Sequence, residues 1–226
     1  MTPWAPSAYH TPKARLAAPK TGASRVNDRR ANPRPSARPN PVERSVIESA
    51  VQTALTGTVV LWILNHVYLA AQLVVLPGAL WMLHRKARPH YVRLRNTVLA
   101  TWLLSIPVYG LFPVAPPRLA DIGMVDTISS QTGFAMDSSL TTSFYNELAA
   151  VPSLHVGFAF AVGIALASAT SNRWLKLAGH LWGPPIALAV VATGNHYVFD
   201  IAAGMVAAAI GYGLGTLAAK GTRAVG

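Results

Sequence analysis

The chain has 226 residues, of which 52% are hydrophobic and 12% charged, with a formal net charge of +11. A soluble domain usually carries about 25% charged residues, so the charge deficit argues for a membrane protein of one compact domain. There are no cysteines, which excludes disulfides, thiolate nucleophiles, thiolate metal sites and thioester-linked anchors.

The positive charge has a location. Nine of the nineteen Lys and Arg residues precede residue 45, and five more run from Arg85 to Arg95. Neither group forms a basic face interleaved with aromatics, so nucleic acid is set aside as a partner. Anionic headgroups and topology signals account for the charge better.

In chain order, residues 1–44 hold eight prolines and no apolar periodicity, and are expected to be a disordered basic tail. A signal peptide needs an apolar stretch behind its basic start, and this segment has none. Residues 45–56 are mildly amphipathic and suit the membrane interface. Residues 57–83 are apolar and long enough to cross a bilayer with tilt. A basic loop is expected at 84–95, a second span at 97–112 and a long mixed loop at 113–152. That loop carries Asp121, Asp126, Asp137 and Glu147 against one cation, Arg118. Further spans are expected at 153–169, 175–193 and 197–219, followed by a short cytoplasmic tail at 220–226.

The apolar runs are too long and too rich in Ala and Leu for barrel strands and do not alternate. An all-α polytopic membrane bundle of five helices is the expectation. Six follow if residues 46–64 and 65–83 are separate spans, but no Gly or Pro turn marks Asn65–His66.

With five spans, Arg118, Ser153, His155, His196 and Asp200 all fall at span ends on one face. The opposite face receives the Arg85–Arg95 cluster, Arg173, Lys176, Lys220 and Arg223, which makes it cytoplasmic and the first face extracytoplasmic. On the single-span reading, the basic tail begins on the extracytoplasmic side, against that rule.

Three polar islands touch the shared face. In Gly194-Asn195-His196-Tyr197-Val198-Phe199-Asp200, a His and an Asp four apart share a helix face. The carboxylate can fix the tautomer of the ring and sharpen its other nitrogen as a nucleophile. Taken alone, the pair reads equally well as a buried staple of the last helix. In Val151-Pro152-Ser153-Leu154-His155, Ser153 is an N-cap whose helix start suits a phosphate, and His155 in the first turn can protonate a leaving alkoxide. In Ala115-Pro116-Pro117-Arg118-Leu119, prolines hold the backbone extended before a guanidinium that can bind phosphate bidentately. An ionisable group at membrane depth is a functional candidate by default.

The order Arg, then Pro-Ser-x-His, then His-x-x-x-Asp resembles the type 2 phosphatidic acid phosphatase superfamily. The forms Ala-Pro-Pro-Arg, Val-Pro-Ser-Leu-His and Gly-Asn-His-Tyr are closer to a bacterial branch resembling fungal inositol phosphorylceramide synthase. The resemblance covers roughly residues 45–219. It implies a catalytic bundle acting on lipid-linked phosphate in the cell membrane. His196 would form a phosphohistidine, Asp200 would orient it, and His155 would serve as acid and then base. Arg118 and Ser153 would hold phosphate oxygens, with Asn195 beside the nucleophile as a further substrate-binding candidate. No cofactor or metal is called for.

Two departures from the superfamily pattern stand out. Lys86 and Arg93 have the spacing of its usual Lys-x6-Arg-Pro motif, but Leu94 replaces the proline and both residues lie on the opposite face. Where much of the superfamily has an Arg six residues before the nucleophile, this chain has Val190.

Hydrolysis and transfer to an alcohol such as inositol remain alternatives, as does a non-enzymatic transporter or scaffold with a degenerate site. A metal-dependent enzyme using His155, His196 and Asp200 is a further class, and chelation discriminates it. Phosphatidate, polyprenyl diphosphate, phosphatidylinositol and phosphatidylglycerophosphate all offer the same phosphate to such a site.

Overall fold

The computed structural model describes residues 45–136, 146 and 148–224, with side chains to residue 218. The expected tail at 1–44, and Asp137 and Glu147, lie outside the described residues.

Helix α1 (Val46–Leu55) is followed by a turn at Thr56–Thr58 in which Gly57 takes φ 77°. Thr58 caps the next helix, its hydroxyl accepting the Leu61 N–H at 3.2 Å. That helix, α2, runs unbroken from Val59 to Lys86 and passes straight through Asn65–His66. Its middle, Ala71–Val75, is wound as a π-helix. Pro77 follows two residues on; its ring would clash with the carbonyl four residues back, and the wider winding relieves that contact.

Only Ala87 separates α2 from α3 (Arg88–Leu111). The stretch 84–95, expected as a loop, is therefore almost wholly helical. Lys and Arg are good helix formers, and their charge marks the end of the apolar zone rather than the end of the helix. On α3, Thr97, Thr101 and Ser105 are buried, and each hydroxyl donates to the carbonyl four residues back at 2.7–2.9 Å. Satisfied in this way, they give the last helix a smooth apolar surface.

The expected long loop contains a 3-10 turn at Pro117–Leu119 and a short helix, α4 (Thr127–Thr132). Asp126 caps α4 by accepting the N–H groups of Ile128 and Ser129 at 3.0 and 3.1 Å, and Gly133 closes it in the left-handed conformation. Helix α5 is Leu154–Ser168. Asn172 then caps α6 (Arg173–His180), and α7 (Gly183–Ala192) begins at a Gly-Pro-Pro sequence that cannot continue the preceding helical ladder. The last helix, α8, runs from Val198 to Ala224, past the expected end of its span.

Among the described residues the structure is all-helical apart from one isolated bridge, Val114 with Ala149. Three stretches are long and apolar enough to cross a membrane: Val59–Lys86, Arg173–Ala192 and Val198–Ala218. Helix α5 is apolar but shorter, and α3 is not among the three. The core joins α2, α5 and α7 through Leu61, Leu64, Val156, Ile186 and Val190, all buried. Trp62, Trp81, Leu103 and Val206 face outward, as lipid contact requires.

Candidate active site

The last turn of α7 positions His196. Gly194 adopts φ 71°, and a Cβ there would stand 3.3 Å from that of Arg118. The chain then folds back so that the N–H groups of Asn195 and His196 both reach the Val190 carbonyl at 3.1 Å. The position where an arginine was looked for thus contributes a main-chain acceptor to the turn.

His196 Nδ1 lies 2.8 Å from the Ala150 carbonyl and 3.4 Å from Asp200 Oδ2. A carbonyl only accepts, so Nδ1 carries a proton, and in the neutral ring the lone pair lies on Nε2. The closer holder of the ring is therefore main chain, with Asp200 behind it. The Asp200 carboxylate also accepts the Tyr197 N–H at 2.8 Å, which caps the start of α8. Its other oxygen, Oδ1, is buried with no partner among the described residues.

Arg118 is reached through the 3-10 turn. Its N–H donates to the Gly194 carbonyl at 2.9 Å, and its Nε donates to Asn195 Oδ1 at 3.0 Å. Asn195 is itself fixed, since Nδ2 donates to Thr193 Oγ1 at 2.9 Å. This relay leaves Arg118 Nη2 buried and without a partner among the described residues. The segment is tied to the next motif by the Val114 N–H donating to Leu148 at 2.8 Å and the Ala150 N–H donating to Val114 at 3.2 Å.

Ser153 is fully buried and caps α5, its hydroxyl accepting the Val156 N–H at 3.4 Å. Its own N–H donates to the Asp200 carbonyl at 3.1 Å. Gly204, one turn along α8, allows this contact: a Cβ there would lie 2.2 Å from the Ser153 carbonyl oxygen. His155 faces His196 with ring centroids 6.3 Å apart, and its other face stacks on Tyr68 at 4.0 Å and 15°. All six sequence-derived residues, Arg118, Ser153, His155, Asn195, His196 and Asp200, thus come together from four segments.

A cavity of about 620 Å³ opens onto both histidines. Its walls come from α2, α3 and α5 and include Gln72, Trp102, Ile106 and Phe158. Lys86 and Arg93 lie elsewhere. Arg93 packs near Ser168, thirteen residues along α5 from His155, or about 20 Å at 1.5 Å per residue. Lys86 lines a separate cavity of about 580 Å³ with Thr170 and Leu175.

The sequence reading did not foresee the role of α1. Glu48 is buried, and its Oε1 accepts the Val198 N–H at 2.9 Å. Gln52 donates to the carbonyls of Val125 and Ala192 at 3.0 and 3.1 Å. The signal was two polar residues four apart in a short helix, which is also the pattern of an interfacial helix. On α2, Asn65 is buried and bonded to Thr127 and Gln131, Tyr68 stacks on His155, and His66 is exposed. Among the described residues, no group of three or more His, Asp or Glu is arranged to hold a metal ion.

The fold and site define a helical protein of membrane-crossing character with two histidines and an arginine gathered at one end of the bundle. The chain belongs to the PAP2 superfamily, which matches residues 44–214 and places it among phosphatase-type enzymes. Its fold is similar to the crystal structure of Aquifex aeolicus LpxE, with a TM-score of 0.59 and 15% identity, covering 75% of this chain and 92% of that one. No curated protein matches the chain.

Proposed function

We propose that the chain is an integral membrane lipid-phosphate phosphatase or phosphotransferase that works through a phosphohistidine at His196. The observation that carries this reading is the 6.3 Å separation of the His155 and His196 rings at the mouth of an apolar cavity, with the Arg118 guanidinium anchored beside His196 through Asn195. A phosphate between those rings has a nucleophile on one side and a proton donor on the other.

The chemistry follows from the donors. Arg118 Nη2 and the free N–H groups at the start of α5 hold phosphate oxygens. His196 Nε2 forms a bond to phosphorus as the bond from phosphorus to the lipid oxygen breaks, and His155 gives that oxygen its proton. Water then enters and loses a proton to His155. Its oxygen bonds to phosphorus, the N–P bond breaks, and inorganic phosphate leaves. An alcohol entering in place of water yields a phosphomonoester of that alcohol; where the substrate is a phosphodiester, the group carried on His196 keeps its headgroup and the alcohol takes it as a new phosphodiester. The Val-Pro-Ser-Leu-His and Gly-Asn-His-Tyr forms favour keeping this inositolphosphotransferase-type outcome as the second reading.

Five spans serve this reading: α2, α3, α5, the α6–α7 pair and α8. The site lies at the extracytoplasmic end and the Arg85–Arg95, Arg173 and Lys176 charges at the cytoplasmic end. The basic tail does not upset that orientation. The rule counts charges within about 15–20 residues of a span, and Arg44 alone falls that close to Val59.

The test is phosphate release by purified protein from a panel of lipid phosphates, with and without alcohol acceptors. Wild type releases phosphate or transfers it, and His196→Ala and His155→Ala do neither. Equal activity in His196→Ala would rule out the mechanism.

A further inference from the structure

Eight Asn and Gln side chains lie among the residues whose side chains are described, and seven of them are hydrogen-bonded: Gln52, Asn65, Asn96, Gln131, Asn146, Asn172 and Asn195. Gln72 has no partner among the described residues. It is half-buried and lines the wall of the cavity that opens onto His155 and His196. Of the other residues in that wall, Tyr109 donates to the Pro152 carbonyl, Asn146 accepts the Leu148 N–H, and Trp102, Ile106 and Phe158 present mainly apolar surface. The Gln72 amide is reached from the cavity, so its unpaired donor and acceptor are free to pair with a polar group of whatever occupies that space.

Its position says what completes it. Gln72 follows Tyr68 by four residues on α2, one turn farther into the bundle, so their side chains are about 6 Å apart along one face. Tyr68 is the residue stacked on His155. The amide therefore stands one short linker inward of the phosphate position, on the side where the hydrophobic part of a lipid must lie. In an acylated glycerol phosphate that place holds an ester carbonyl. In a prenyl phosphate it holds only hydrocarbon.

We infer that Gln72 is a specificity-determining residue whose side-chain amide donates to an ester carbonyl of the substrate, so that the site selects acylglycerol phosphates over prenyl phosphates. This rests on the phosphatase reading above and narrows its substrate class.

The experiment compares kcat/KM of the purified protein on three phosphates: a diacylglycerol phosphate, its dialkyl ether analogue and a polyprenyl monophosphate. Each is measured with wild type, Gln72→Leu and His196→Ala. The ether keeps the shape and loses the carbonyl. Wild type should favour ester over ether by about three- to tenfold, the worth of one hydrogen bond, and Gln72→Leu should erase that ratio by slowing the ester alone. Rates on the polyprenyl phosphate should match in the two proteins, which also shows that Gln72→Leu is folded. Equal wild-type rates on ester and ether overturn the inference and leave the phosphatase reading standing. So does a Gln72→Leu protein that keeps the ester preference. Release undiminished in His196→Ala, or none in wild type, overturns the phosphatase reading and this inference with it.

Discussion

Arg118 and Asn195 are joined by a 3.0 Å hydrogen bond from the guanidinium Nε to the amide oxygen, so the residue next to His196 holds the cation rather than facing solvent. Asn195→Ala should therefore act through Arg118. Arg118→Ala should lower kcat by about 10²–10³, as loss of a charge-stabilising donor does. The double variant should be no slower than Arg118→Ala alone. Turnover measured for all four proteins checks this, and losses that simply multiply would show independent roles.

The approach of α8 to Ser153 leaves no room at Gly204. Gly204→Ala must push the helix off the Ser153 backbone, against which its Cβ would come within 2.2 Å. Overpacking of this kind costs about 1–3 kcal/mol. Thermal unfolding in detergent should fall for Gly204→Ala and stay put for a change at exposed Met205 on the same turn.

Glu48 holds the first N–H of α8. Glu48→Ala leaves that part-buried donor unpaired and should cost about 1 kcal/mol. Glu48→Gln keeps an acceptor oxygen and should lose less. Unfolding midpoints of the two variants, read side by side, test whether the contact or the charge matters.

How much of this was legible in sequence depends on the range of the contact. The three polar islands could be read because each is written locally: a proline pair before Arg118, a capping serine before an apolar run, a His and an Asp four apart. The clamp of α1 onto the site could not be, because Gln52 bonds Ala192, 140 positions away, and nothing local distinguishes that from a helix lying on a membrane. Helix α4 was legible in principle, since Asp126 is a good cap and Gly133 a good stop, yet six residues carry too little periodicity to stand out from a loop. The basic stretch 84–95 was misread because charge marks where the hydrocarbon ends, which is not where a helix must end. The partner of His196 was assigned to Asp200 from spacing; the structure adds the nearer Ala150 carbonyl, a main-chain group that no side-chain pattern encodes.

Lys86 and Arg93 carry the spacing of a phosphate-binding motif but sit far from the histidines. Lys86→Ala and Arg93→Ala should leave turnover at the wild-type level. A collapse of activity in either would move the phosphate site to the other end of the bundle.

Treatment with EDTA tests the chemistry directly. In the proposed mechanism Nδ1 of His196 bonds the Ala150 carbonyl and Nε2 forms the bond to phosphorus, which leaves neither ring nitrogen to coordinate an ion. Phosphate release should survive chelation, and loss restored by adding back a divalent ion would point to the two-histidine, one-carboxylate alternative.

The π-wound stretch Ala71–Val75 lets one helix keep two sets of neighbours. Before it, Leu61, Leu64 and Tyr68 pack toward α5 and α7; after it, Ala79 and Leu83 pack toward α3 and α5. The extra residue in that turn acts as a phase shift between the two halves. Deleting one residue as that turn closes into a regular α-helix would leave the two halves nearly in their present phase, whereas closing it with every residue kept would rotate everything beyond it, through Lys86, by about 100° about the axis. Either half could then keep its packing, but not both.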